Sequence, residues 1–186
     1  REAPIDYLIF SSGAGLLDWG HDRGPGRAEK LLLAHTMQGS DIERAARFLL
    51  REDMDVMIHR PAPDSHCFCW LAAAGDGAAR EGREDPRTRV KGFPDSAWPL
   101  VPASEHRVSL GMQGVATGWT GSASMVLGVA DVENPDRTVA RAREALPDLQ
   151  VIRTTSPING RSLWLEIVPT HVSKASAGQW LADHLG

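Results

Sequence analysis

A chain of 186 residues, 42% hydrophobic and 24% charged, is long enough for one domain or for a domain plus part of another, and its balance is that of a folded protein rather than a disordered or fibrous one. Its 20 basic and 24 acidic residues are spread along the chain with a net charge of -4, so no basic stripe is present to neutralise nucleic-acid phosphates. The apolar runs are far short of the roughly 20 residues that span a bilayer, and the N-terminal residues from Arg1 to Asp6 are not a secretory leader; a cytoplasmic protein with no nucleic-acid or membrane partner is expected.

Tyr7 to Phe10 is a short apolar run without helical period that enters the small-residue loop Ser11 to Gly15, which predicts a buried strand and a tight exit. Leu16, Leu17 and Trp19 begin a second strand, His21 to Gly26 supplies turn residues, and Lys30 to Met37 extends again, so a hairpin follows. Ser40 and Glu43 have the spacing of a capping box. Behind them Ile42, Ala45, Ala46 and Leu49 form one apolar helical stripe.

Met54, Val56 and Ile58 alternate with Asp55, Met57 and His59 in a strand that Pro61 and Pro63 stop, and His66 to Ala72 reads as its neighbour. The polar, glycine- and arginine-rich stretch from Gly75 to Arg89 and the proline-rich stretch from Pro94 to Pro102 are an irregular insert with one or two short helices. Order returns with the apolar strand Ser124 to Ala130. Asn134, Pro135 and Asp136 then give an N-cap, a proline at N1 and an acid in the first turn of a helix that buries Val139, Ala142 and Leu146. Strands Gln150 to Thr155 and Ser162 to Val168 flank Asn159-Gly160, a hairpin signal. A last helix opens at Lys174 and is expected to bury Ala177, Leu181 and Leu185.

Helix-strand-strand therefore occurs twice, from Ser40 to Ala72 and from Pro135 to Val168, with an insert between. Two such halves can share one antiparallel sheet with both helices on one face, leaving the other face free.

Few other residue groupings carry chemistry. Cys67 and Cys69 are too close along a strand for a relaxed bridge, and no second pair completes a metal site, so they read as packing residues. The seven histidines form no metal-binding motif, and His59 with His66 is the pair expected to be neighbours. Gly111 to Gly118 lacks the spacing of a nucleotide-phosphate loop. Arg60 and Arg153, each on a cap strand, could reach an anionic substrate from the open face of the sheet.

Three segments together resemble the C2B-capped, Cof-like branch of the haloacid dehalogenase superfamily. They are the strand and loop from Tyr7 to Ala14, the doubled helix-strand-strand, and the run from Leu163 to Ala175, whose L-E-I-x-P-x-x-V-S-K pattern is the most specific. The resemblance implies an α/β fold: a C2B-type cap, an αββ-insert-αββ antiparallel sheet spanning residues 36–168, attached to part of a Rossmann-like core in residues 1–35 and 169–186. It implies a phosphatase of a small phosphorylated metabolite, a sugar phosphate being one such class, with Mg²⁺ as cofactor. Lys174 matches the lysine that offsets charge on nucleophile and phosphate, and Ser12 and Gly13 stand where relatives carry an Asn-Gly pair beside the active site.

Other family elements are absent from the sequence. No D-x-D-G-T/S occurs, Asp6 precedes its strand rather than following it, and no G-D-x-x-N-D follows Lys174, so the Mg²⁺ ligands are not in this chain. On this pattern the chain begins about one βα unit too late and ends about two units too early, and it is expected to be inactive alone, with missing core segments or self-association covering its ends. The alternative is a catalytically inactive, cap-like binding module or a truncated gene product, which the DNA flanking the coding region would distinguish.

Overall fold

The computed structural model describes residues 5–20, 29–65, 68–71, 122–156 and 160–186. In chain order they form β1 (Tyr7–Phe10), a 3-10 turn (Ser11–Gly13), β2 (Gly15–Asp18), β3 (Lys30–Ala34), β4 (Met37–Gln38) and α1 (Gly39–Arg51). Next come β5 (Asp55–His59), β6 (Phe68–Leu71), β7 (Ser122–Ala123), β8 (Met125–Ala130), α2 (Pro135–Ala145), β9 (Leu149–Thr155), β10 (Leu163–Pro169) and α3 (Lys174–Leu185). The insert expected between Gly75 and Pro102, Cys67 and the Gly111 to Gly118 stretch lie outside the described residues.

β2 and β3 pair antiparallel, with a bulge between Leu16 and Leu17, as the hairpin pattern leads one to expect, whereas β1, expected to be a buried strand, adds to β2 as an antiparallel edge strand of this small sheet with none of its residues buried. The larger sheet has the order β6-β5-β8-β10-β9, every pair antiparallel. Both helix-strand-strand units contribute to it, and β8 is the central strand that joins them. β4 and β7 make a separate two-stranded pairing beside α1.

Period-two alternation sorts this sheet's side chains into two clusters. Val56, Ile58, Val126, Val151, Leu163, Leu165 and Ile167 face α1 and α2, where they pack with Ile42, Ala45, Ala46, Leu49, Val139, Ala142 and Leu146. Both helices thus cover the same face, as expected. Each large side chain buried here contributes roughly 1.5–3 kcal/mol relative to exposure. Gly128 belongs to this layer: a Cβ there would meet the side chain of Leu49, so a residue without one lets α1 lie close on β8.

The opposite face, expected to be free for something else, is covered by other segments of the chain. Met57, Phe68, Met125, Leu127, Trp164 and Val168 pack there against Ala14, from the loop after β1, and Val172, from the run into α3. The large apolar residues of β5, β8 and β10 in this phase need cover, and the chain supplies it from the two segments that carry the candidate site.

Two local expectations are corrected. The Ser40–Glu43 capping box is not formed: α1 begins at Gly39 with Gln38 as its cap and no side-chain capping bond, while Glu43 pairs with Arg47 one turn on. Starting two residues earlier than a Ser40 cap implies places Ser40 inside the helix, where its hydroxyl cannot serve as the cap. α3 buries Ala177, but Leu181 is half-buried and Leu185 is 57% exposed, because the helix meets the 3-10 turn and β1 and then runs on beyond them. The α2 cap is as expected, with Asn134 Oδ1 accepting from Arg137 N at 3.0 Å.

Candidate functional site

β1 delivers the chain into a turn of unusual backbone. Ser11 and Ser12 have φ of 50° and 55°, and Gly13 follows at 102°, all in the left-handed region that side chains disfavour. Ala14 N donates to Ser11 O at 2.9 Å and closes the turn. Two serines held in this conformation cost free energy that surrounding contacts must offset, and such residues concentrate at functional sites.

Those contacts come from the end of the larger sheet and from the start of α3. Ser11 Oγ donates to Ser65 Oγ at 2.7 Å, just after β5, and Ser12 Oγ donates to the carboxylate of Glu166 on β10. Gly13 is buried against the Ser173–Lys174 peptide: a Cβ would overlap the Ser173 carbonyl and lie 2.8 Å from Lys174 N. Ser173 caps α3 through a reciprocal box with Ser176, each hydroxyl accepting from the other's backbone N–H at 2.9 Å. Lys174, first in the helix, is exposed.

Ser12, Gly13 and Lys174, distant in sequence, are therefore brought together. A serine hydroxyl, a turn of left-handed backbone, a cation and a helix N-terminus are groups that attract an anion. Glu166 adds a carboxylate, which repels a phosphoryl group but accepts hydrogen bonds from hydroxyls. Glu166 was not singled out as a site residue in the sequence, although alternation along β10 puts it in phase with Trp164 and Val168, a lone charge on an apolar face.

Arg153 does not join this group. Arg153 pairs across the sheet with Leu165, whose side chain is under α1 and α2, and its guanidinium binds Asp136 in the first turn of α2. It lies on the helix-covered side, not on the face expected for it. Arg60 follows the end of β5 and is half-buried. The period-two pattern holds at Arg153, and only the choice of face was wrong there.

His66 lies outside the described residues; His59 is buried, with Nδ1 2.9 Å from Ser65 O and its ring against Phe68. The histidines that do meet are His35 and His171, with ring nitrogens 3.2 Å apart. The Mg²⁺ implied by the resemblance finds no fitting ligand set here. No group of three or more His, Cys, Asp or Glu side chains converges among the described residues, and beside the turn Glu166 stands alone, whereas Mg²⁺ requires a near-octahedral shell of oxygens.

No helix among the described residues is long and apolar enough to cross a membrane. No family model and no curated protein matches the sequence. Solved structures do match in fold. One is a haloacid dehalogenase superfamily subclass IIB sugar phosphatase, 10% identical, aligned over 98% of this chain and 54% of its own, with a TM-score of 0.56. A second, from a phosphoryl-transfer superfamily in which a trigonal-bipyramidal intermediate is conserved, is 11% identical over 98% of this chain and 53% of its own, with a TM-score of 0.55. A third is a haloacid dehalogenase-like hydrolase from B. subtilis, 13% identical over 96% of this chain and 58% of its own, with a TM-score of 0.53. The chain spans little more than half the length of these structures, and over that span it shares their α/β fold.

Proposed function

We propose that this chain is the cap and the adjoining core segments of a cytoplasmic phosphatase acting on a small phosphorylated metabolite. The observation that carries this reading is the packing of Gly13 on the Ser173–Lys174 peptide, which unites the serine turn with the lysine at a helix start. Lys174 offsets charge on the phosphoryl group and on an attacking carboxylate, and Ser12 donates a hydrogen bond to a phosphoryl oxygen once released from Glu166. Residues 36–168 act as the cap and set specificity, while 1–35 and 169–186 belong to the core.

The nucleophile and the Mg²⁺ that would screen its approach to phosphorus belong to the complete enzyme in this reading, which the lack of a D-x-D-G motif in the sequence and of a converging ligand set among the described residues supports. Glu166, beside Ser12, suits a substrate with hydroxyls near the phosphate, and this favours a sugar phosphate.

The test is a panel of phosphorylated metabolites, with Mg²⁺, on a form extended at both ends to include a D-x-D-G-T strand and a G-D-x-x-N-D strand. Hydrolysis reduced at least 10²-fold by Lys174→Ala is the expected result. This 186-residue chain by itself should not turn over p-nitrophenyl phosphate; turnover that Lys174→Ala abolishes would contradict the assignment of the nucleophile elsewhere.

A further inference from the structure

The small sheet and α3 are joined to the larger sheet by two connections: one leaves β3 at Ala34 and enters β4 at Met37, and the other leaves β10 at Pro169 and enters α3 at Lys174. Each carries one histidine. His35 Nδ1 and His171 Nε2 are 3.2 Å apart, and the rings meet edge to face with centroids at 4.7 Å and an interplanar angle of 80°. That separation fits a hydrogen bond in which one nitrogen carries the proton and the other accepts it. Backbone bonds fix both residues, with His35 N donating to Ala14 O at 2.8 Å and His171 O accepting from Ser176 Oγ at 2.9 Å.

We propose that His35 and His171 form a proton-operated lock between the two connections, closed while at least one ring is neutral and opened when both are charged. Two imidazolium rings cannot keep this contact, since neither then offers a lone pair and like charges face each other. The charged groups on the elements meeting at the pair do not relieve that repulsion. Lys30 on β3 and Lys174 on α3 are cations. The carboxylates are engaged elsewhere: Asp18 with Gly20 N, Asp148 with Arg44, Glu166 with Ser12 and Asp183 with Gln179.

His35 supports the direction of the effect. Burial, and then the charge of His171, holds its pKa below the ordinary 6.5. A lowered histidine value means that the closed pair binds protons less readily than separated rings do. The contact is therefore fully present above about pH 6.5 and is lost as pH falls through the lowered value.

Ser11, Ser12 and Gly13 precede Ala14, the acceptor of His35 N, so opening reaches the candidate site through one backbone bond. The lock concerns the two connections and does not depend on what the site binds.

Histidine-ring and backbone NMR of this chain between pH 8 and 5 tests it, with His35→Gln and His171→Gln alongside. In the wild type the amides of residues 34–37 and 170–174 should move together as His35 titrates. His171→Gln should raise the His35 midpoint, and either variant should uncouple the two connections. An unchanged His35 midpoint in His171→Gln overturns the lock. So do wild-type linker amides that ignore the titration, an outcome that needs no variant to fold.

Discussion

Gly13 and Lys174 touch backbone to backbone: any Cβ on Gly13 would lie 2.8 Å from Lys174 N and inside the Ser173 carbonyl. At φ 102° the position also disfavours a side chain on backbone grounds alone. Gly13→Ala should cost roughly 2–4 kcal/mol in urea unfolding. Gly178→Ala, within α3 with open space around it, should instead stabilise by about 0.5–1 kcal/mol. Equal effects from the two substitutions would mean that the turn is not held against α3.

Helix capping gives a second contrast. Asn134→Ala removes the bond to Arg137 N and should destabilise the protein by about 1 kcal/mol. Ser40→Ala should change stability by less than about 0.5 kcal/mol, since Ser40 makes no capping bond. A larger loss from Ser40→Ala in thermal unfolding would restore the capping box that the sequence suggests.

Arg44 and Asp148 form a two-pronged surface pair between α1 and the start of β9. The hydrogen bond from Arg44 holds the Asp148 pKa below 3.8. A depressed carboxylate stabilises the fold above its unfolded value, and this contribution fades as pH drops through the folded one, so it is present at neutral pH and lost only in acid. Carboxyl NMR should show Asp148 titrating low in the wild type and higher in Arg44→Ala. Identical titration in both would show that the pair does not persist in water.

Hydrogen exchange should separate the segments. β1 is an edge strand with Leu8 36% exposed, and Leu185 at the end of α3 is 57% exposed, whereas Ile58 and Leu165 are fully buried. Amides in residues 5–15 and 174–185 should exchange faster than those in 54–60 and 163–168. Uniform protection in a verified monomer would contradict the view that the small sheet and α3 are the less complete part.

Much of the fold was legible because its elements carry periodic signals. Ile42, Ala45, Ala46 and Leu49 share a helical stripe, Asn134 precedes Pro135, and two alternating runs around Asn159-Gly160 pair antiparallel as β9 and β10. Which face of the sheet would be covered was not legible. In the observed register Arg153 pairs with Leu165 and so points away from Glu166, but alternation along a strand does not say which side meets the helices, and this reversed the expectation for Arg153. Contacts between segments far apart in sequence, such as Ser12 with Glu166 and His35 with His171, leave no periodic trace. The Ser12, Gly13 and Lys174 cluster was reached through a family motif, whereas Glu166 and the histidine pair needed the tertiary structure.

The most direct test of the central claim is titration of this chain with inorganic phosphate, followed residue by residue through its amide NMR signals. If the serine turn and the start of α3 are the phosphoryl-binding half of an active site, Ser12, Gly13, Ser173, Lys174 and Ala175 should shift together and saturably, and Lys174→Ala should weaken binding about tenfold without unfolding the chain. Shifts that miss these residues, or that are unchanged in Lys174→Ala, would contradict it.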